Sequence, residues 1–170
     1  MEEFAGRANL SAEQFLSALQ QAGVSAQTFR DFVRAAHAAG ALVVWDLAHS
    51  AGLYPLKLCE LGCDFAGLLS YKWMYSPYAA GLLYVRHECL DAVQVRYAGG
   101  RAQAWLDFGG DDFALHETAE RFQYGPWSWP LVHAWAFAVG YLAAIGLEAI
   151  WGRTVALAER LKEGGHKVHP

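Results

Sequence analysis

The sequence predicts an α/β domain, because short apolar runs alternate with segments whose apolar residues recur at helical spacing. Three runs, at 41–45, 65–69 and 81–85, are apolar almost throughout, which is typical of strands buried on both faces of a sheet. The chain has 170 residues, of which 55% are hydrophobic and 18% are charged, so it can build a substantial core.

Two helices are predicted ahead of the first strand. Ser11 and Gln14 form a capping box, and Gly23 ends the helix that they begin. Ser25 is expected to cap the second helix, which ends at Gly40. The first strand then follows this glycine directly.

The remaining elements follow from the connections between the apolar runs. Residues 47–63 include a short helical piece at 56–61 and are numerous enough for a crossover between parallel strands. The third strand follows a short loop and is expected to run antiparallel to the second. Residues 97–113 are predicted to form a loop, and 130–145 and 147–161 to form long helices. The expected architecture is a mixed, mostly parallel sheet flanked by helices.

Charge and cysteine content narrow the functional classes. With a net charge of −4, the chain lacks the basic surface that is typical of nucleic-acid binding. Three cysteines and the lack of a secretory pattern at the start favour a cytoplasmic protein. The apolar stretch at 132–151 approaches the length of a bilayer span, but it contains Glu148, so a buried helix is predicted rather than a membrane segment.

Metal binding is not expected from the cysteine and histidine positions. Cys59 and Cys63 are four residues apart, and Cys89 is remote from both. The histidines are scattered and complete no familiar ligand spacing with these cysteines.

Two polar residues follow neighbouring apolar runs. Asp46 comes directly after the first run, and Lys72 follows the second. Ligands of α/β sheets bind beyond the carboxyl ends of the strands, so both side chains are expected at one crevice. Alone, each is explained by a turn cap or a solvated strand end. Together they indicate a lysine that forms a Schiff base and an aspartate that faces a pyridine nitrogen.

Three segments carry a resemblance to a known family: 43–52 (VVWDLAHSAG), 64–86 (DFAGLLSYKWMYSPYAAGLLYVR) and 121–130 (RFQYGPWSWP). They resemble the class V aminotransferase family of fold type I pyridoxal-phosphate enzymes, which includes kynureninases, cysteine desulfurases and isopenicillin-epimerase-like proteins. The similarity is locally greatest to kynureninase. The resemblance implies a partial large domain of the fold type I transferase fold, with pyridoxal 5'-phosphate as cofactor.

The resemblance also implies a role for each matching residue. Asp46 pairs with the pyridinium nitrogen of the cofactor, and His49 lies beside its ring. Lys72 carries the Schiff base and later moves the Cα proton, so Lys72 and Asp46 are the expected catalytic residues. Tyr71 is the kynureninase-type residue whose hydroxyl helps to hold the phosphate, and Ser70 is a further candidate for phosphate contact.

One departure from the family pattern concerns the phosphate. Family members commonly have Gly-Thr where this chain has Gly125-Pro126, and that threonine reaches the phosphate of the partner subunit. Proline has no hydroxyl, so Ser128 is the expected substitute. The resemblance thus implies a homodimer with its active site at the interface.

The family pattern divides the chain into three parts. Residues 1–24 are expected to form an unplaced N-terminal helix, 25–161 the partial large domain, and 162–170 the start of a truncated small domain. A fragment of a longer enzyme is therefore predicted.

The expected function is that of a pyridoxal-phosphate-dependent enzyme of class V type acting on an amino acid. Kynureninase-like hydrolysis is the favoured specific reaction. The alternatives are a catalytically silent remnant or dimerising module, and a cysteine desulfurase-like or epimerase-like enzyme.

Overall fold

A computed structural model of the chain describes residues 26–109 and 112–165. The helix predicted from Ser11 and the cap predicted at Ser25 lie outside the described residues. Within these residues, short 3₁₀ turns at His87–Ala92 and Ala119–Phe122 accompany nine main elements. In chain order these elements are α1 (Ala26–Ala38), β1 (Val44–Asp46), α2 (Leu58–Leu61), β2 (Phe65–Leu69), β3 (Gly81–Val85), β4 (Gln103–Leu106), β5 (Phe113–Leu115), α3 (Trp129–Ile145) and α4 (Leu147–Gly165).

The predicted α/β class and the mixed sheet are confirmed. The principal sheet has the strand order β1-β2-β3. The hydrogen bonds from Phe65 N to Val43 O and from Leu47 N to Gly67 O advance in one direction along β1 and β2, so this pair is parallel. Ser70 N donates to Ala80 O across the ends of the β2–β3 connection, so these two strands are antiparallel.

The prediction of a loop over 97–113 is wrong. Residues within it form β4, which pairs antiparallel with β5 and carries an irregularity between Gln103 and Trp105. The hairpin was missed because glycines after Leu106 indicate a loop and because the two strands have only four and three residues. A run this short carries little alternation of polar and apolar residues.

The start of the first strand also differs from the sequence expectation. β1 begins at Val44, three residues after the start of the predicted apolar run, and Ala41 is part of the end of α1. Gly40 has φ of 74°, and Ala41 N donates to Ala36 O. The predicted helix stop at Gly40 is therefore confirmed, while Ala41 belongs to the cap rather than to the strand.

The described residues divide into two compact units, of which the first comprises 26–45 together with 57–65. Here α1 packs against α2, with Val33 3% exposed and Cys63 fully buried. The ring of Phe29 meets the ring of Trp45 edge-on at 4.6 Å between centroids. Asp64, also fully buried, is the polar centre of this unit.

The second unit comprises 46–56 and the part after residue 65. It holds the β2–β3 connection, the β4–β5 hairpin and the helices α3 and α4, which bend by 73° at Gly146. Among the described residues, no single helix is long and apolar enough to cross a membrane. The bent pair α3–α4 reaches the required length and composition only when its two helices are taken together.

Candidate active site

Asp46 is the last residue of β1, and its carboxylate faces outward from the strand end. Oδ1 accepts a hydrogen bond from Ala48 N at 2.9 Å, which fixes the first turn after the strand. Within the part of the chain that the structure describes, the Asp46 carboxylate has no ion-pair partner. A charged acceptor is therefore held in place with capacity for another donor.

The turn after Asp46 brings His49 toward the Lys72 segment. Ser50 N and Ala51 N both donate to Leu47 O, which closes a helical turn. Gly52 then adopts φ of 86°, and a Cβ at this position would lie 2.4 Å from Trp73 O. Since backbone here touches backbone, only glycine allows the two segments to approach this closely.

Lys72 lies in a tightly hydrogen-bonded connection between β2 and β3. Ser70 is fully buried, and its Oγ donates to Pro77 O at 2.6 Å. Ser76 N donates back to Ser70 O, and Tyr75 N donates to Lys72 O. These bonds cross the connection from one side to the other, so the backbone around Lys72 is fixed.

Two residues of the same connection have positive φ angles without being glycine. Tyr75 has φ of 52° and Ala79 has φ of 71°. Such conformations cost energy and persist where surrounding contacts enforce them, often at functional sites. The rings of Tyr71 and Tyr78 stack at 4.5 Å between centroids, which ties the two arms of the connection together.

The Lys72 amine lies 2.9 Å from Nε2 of His49. A protonated lysine has only donors, so His49 Nε2 is the acceptor when the amine is charged. Lys72 has no carboxylate partner among residues 26–109 and 112–165. The amine is thus oriented by an imidazole rather than neutralised by an acid.

Of the six predicted site residues, the structure brings His49 and Lys72 into direct contact. Asp46 precedes His49 on the same turn, and Ser70 lies in the same connection as Lys72. Tyr71 joins them through its stack with Tyr78. The Ser70 hydroxyl already donates to a carbonyl, so its contribution here is to the backbone of the connection.

Ser128 occupies a different kind of position. It is the exposed N-cap of α3, and its side chain makes no capping hydrogen bond. Its carbonyl accepts from Leu131 N and Val132 N. No described contact links Ser128 to the other five residues, so its predicted role at a phosphate stays a prediction.

Two further residues of the site, Gly52 and Ser76, lie within the segments that resemble the family but were not predicted to take part in the site. Gly52 could have been noticed as the glycine that ends the His49 turn, but its contact with Trp73 depends on the fold. Ser76 Oγ is buried and has no hydrogen-bond partner among the described residues. Ser76 lies four residues after Lys72 in the same connection. Buried hydroxyls usually have a hydrogen-bond partner, so this one is a candidate for contact with a ligand.

The described residues contain no cluster of three or more histidine, cysteine or acidic side chains arranged to hold a metal ion. Cys63 and Cys89 are buried in the chain, and Cys59 is exposed.

Comparisons with known proteins identify the family of the chain. The family model "Aminotransferase class-V" matches residues 15–167. A probable cysteine desulfurase from Synechocystis sp. is 33% identical over 134 residues, which is 79% of this chain and 31% of that protein. A kynureninase from Deinococcus radiodurans is 42% identical over 76 residues, which is 44% of this chain and 18% of that protein.

Among solved structures, the apo structure of a cysteine desulfurase from Thermococcus onnurineus NA1 superposes with a TM-score of 0.72 at 28% identity. It matches 82% of this chain and 34% of that one. The chain thus spans about a third of the length of these desulfurases. By family match, sequence and fold, the chain belongs to the class V aminotransferases, a family of pyridoxal-phosphate enzymes.

Proposed function

We propose that this chain supplies the cofactor-attachment site of a pyridoxal-phosphate-dependent enzyme that acts on an amino acid. The observation that carries the proposal is the 2.9 Å contact between Lys72 Nζ and His49 Nε2 on segments that follow two parallel strands. Its location agrees with the general rule that ligands bind beyond the carboxyl ends of strands.

The residues present fit the cofactor. Lys72 offers an amine with no acidic partner among the described residues, and Asp46 offers a carboxylate with only one hydrogen bond. Ser76 adds a buried hydroxyl that no described residue satisfies. An amine for the aldehyde, a carboxylate for the ring nitrogen and a hydroxyl for a polar substituent make up a suitable set of partners.

Each residue has a distinct task in the proposed mechanism. Lys72 holds the cofactor through its amine and then moves a proton at the α carbon of the substrate. Asp46 accepts a hydrogen bond from the ring nitrogen and favours its protonated form. His49 accepts a hydrogen bond from Lys72 and so orients the amine. When bound, pyridoxal phosphate supplies the electron sink that makes the α proton removable.

The specific reaction that we propose is kynureninase-like hydrolysis. Two kynureninases, from Deinococcus radiodurans and Yarrowia lipolytica, are 42% and 47% identical over 76 and 66 residues, which exceeds the 33% of the longer desulfurase match. Tyr71 directly before the lysine, the kynureninase-type residue, supports the same choice. Cysteine desulfurase activity is the second candidate, because that match covers more of the chain.

The attachment residue is tested by trapping the cofactor. The protein is incubated with pyridoxal phosphate and reduced with borohydride, and the intact mass is measured. We expect one reduced cofactor per chain, located on the peptide that contains Lys72, and we expect none in Lys72→Ala. Lys57→Ala is the matched control, because Lys57 is an exposed lysine paired with Glu60. Equal trapping in Lys72→Ala would exclude Lys72 as the attachment residue.

A catalytically silent remnant is the remaining alternative. A protein that binds the cofactor is stabilised against unfolding in proportion to the logarithm of cofactor concentration. We therefore expect the melting temperature of the wild type to rise with added pyridoxal phosphate. If added pyridoxal phosphate changed neither the melting temperature nor the absorbance spectrum, the remnant would be favoured.

Substrate choice and assembly need separate measurements. With cofactor bound, L-kynurenine cleavage is compared with sulfide release from L-cysteine, and we expect the first to exceed the second. We propose a homodimer, which light scattering tests directly. The cytoplasmic location inferred from the sequence stays a prediction.

A further inference from the structure

Arg101 is held by three side chains at and just before the start of α3. Its guanidinium carbon lies 4.0 Å from the ring centroid of Trp127 and 5.8 Å from that of Trp129. Its Nε donates to Gln123 Oε1 at 3.2 Å. Stacking and this one hydrogen bond together fix the plane of the guanidinium.

The backbone that carries Arg101 is also fixed. A Cβ at Gly99 would lie 2.0 Å from Tyr124 O, so the two backbones are in direct contact. Ala102 is fully buried, and its N donates to Gly99 O at 2.9 Å. Ala102 O in turn accepts from His116 N. Arg101 thus extends from a short loop that is anchored on both sides.

Arg121 differs from Arg101 in that acceptors within the protein satisfy its guanidinium. Arg121 donates through Nε to His116 O at 2.8 Å and through Nη1 to Asp91 Oδ1 at 2.9 Å. Arg101 has no carboxylate or carbonyl acceptor for its terminal amino groups within the described residues. Its charge is held in place, but it is not neutralised there.

We propose that Arg101 forms an oxyanion-binding site in which its two terminal amino groups donate in parallel to a carboxylate or a phosphate. Guanidinium matches both anions in a bidentate geometry, and stacking on an indole leaves its edge available for these bonds. Because Trp127 and Gln123 already fix the side chain, little conformational entropy is lost on binding. The proposal does not rest on cofactor attachment at Lys72.

Trp127 and Trp129 form an exposed aromatic surface beside the Arg101 guanidinium. They are 38% and 53% exposed, and their rings meet edge-on at 5.4 Å. The anion is therefore recognised beside an exposed aromatic surface. A carboxylate-bearing or a phosphate-bearing small molecule satisfies this chemistry, and the affinity for two simple anions distinguishes them.

The test measures anion binding in a Lys72→Ala background, so that the Lys72 amine contributes nothing. Inorganic phosphate and acetate are titrated separately at constant ionic strength, and binding is followed by the NMR shift of the Trp127 indole NH, assigned with Trp127→Phe. We expect Arg101→Gln to weaken binding at least about tenfold, since one charge-assisted hydrogen bond is worth about that factor. Arg96→Gln is the matched control, because Arg96 is exposed and close in sequence, and it should change nothing.

Two further variants keep the test decisive if Arg101→Gln folds poorly. Arg101→Lys retains the charge but not the paired donors, so we expect an intermediate loss of affinity. Gln123→Leu removes the hydrogen bond to Nε and should weaken binding severalfold.

Tighter binding of phosphate than of acetate assigns a phosphate-bearing ligand, and tighter binding of acetate assigns a carboxylate-bearing ligand. No binding by the parent protein, equal binding by Arg101→Gln, or full affinity in Arg101→Lys would overturn the proposal.

Discussion

Asp64 and Asp46 lie beside neighbouring strands of the same sheet, and the protein uses their carboxylates in opposite ways. Asp64 comes immediately before β2 and is fully buried. Asp46 is the last residue of β1 and is exposed. One carboxylate is thus at the amino end of a strand, and the other is at a carboxyl end.

Their hydrogen bonds explain the difference. Asp64 Oδ2 accepts from Val43 N at 2.6 Å and lies 2.9 Å from His37 Nε2, so this carboxylate joins the start of β1 to α1. Among the described residues, Asp46 accepts a hydrogen bond only from Ala48 N, within its own turn. At the amino ends of these strands the charge stabilises the fold, and at the carboxyl ends it remains available to a ligand.

Removing the Asp64 carboxylate is expected to have the largest effect on stability. Asp64→Ala leaves Val43 N and His37 without this buried acceptor, so we expect the free energy of unfolding to fall by about 3 kcal/mol. Urea denaturation of the variant and the wild type gives the value. Asp91→Ala is the control, because the 95% exposed Asp91 side chain forms only a surface ion pair, and its loss should cost less than about 1 kcal/mol. Similar losses in the two variants would contradict the structural role of Asp64.

Gly52 tests whether the geometry at the carboxyl ends depends on one close backbone contact. Gly52→Ala places a methyl group 2.4 Å from Trp73 O, whereas Gly40→Ala meets no atom within 4 Å. Both glycines have positive φ, of 86° and 74°, so both substitutions carry about 1 kcal/mol of backbone strain. We expect Gly52→Ala to cost about 1 kcal/mol more than Gly40→Ala, because of the steric clash.

The same pair of variants also reports on function. Displacement of the Gly52 turn moves His49 away from Lys72, so cofactor trapping at Lys72 should slow in Gly52→Ala and stay unchanged in Gly40→Ala. Equal unfolding free energies and equal trapping rates in the two variants would show that the close contact with Trp73 is unimportant.

The sequence predicted the parts of this protein that depend on local pattern. The β2 and β3 boundaries were correct, because each strand is a continuous apolar run beside turn residues. The long helices were correct to within a few residues at their ends, and Gly146 separates them as expected. The β4–β5 hairpin was missed, because strands of four and three residues carry too short a pattern.

The sequence motifs placed Lys72 and His49 in one candidate site, and in the structure their side chains lie 2.9 Å apart. Their roles at a cofactor stay predictions. The buried position of Asp64 could not be read from its neighbours, because Asp46 and Asp64 both adjoin apolar runs. Which of them is buried depends on the packing of α1 and on the direction of the strands, which are properties of the assembled fold.

Asp46 is expected to show the smallest effect on stability and a clear effect on function. Asp46→Asn keeps an oxygen that can accept from Ala48 N, so the free energy of unfolding should change by less than about 0.5 kcal/mol. The amide has no negative charge with which to favour a protonated ring nitrogen, so we expect the affinity for pyridoxal phosphate to fall about tenfold. Thermal denaturation with and without cofactor measures both quantities.

Asp64→Asn is the matched substitution at the buried position. It should lower stability but not cofactor affinity, whereas Asp46→Asn should lower cofactor affinity but not stability. Asp64→Asn should destabilise the protein without cofactor, because an amide is a weaker acceptor for Val43 N and brings a buried amino group that needs a partner. Its cofactor affinity, measured well below the melting temperature, should equal that of the wild type. A loss of stability in Asp46→Asn as large as in Asp64→Asn would mean that strand direction does not decide which carboxylate supports the fold.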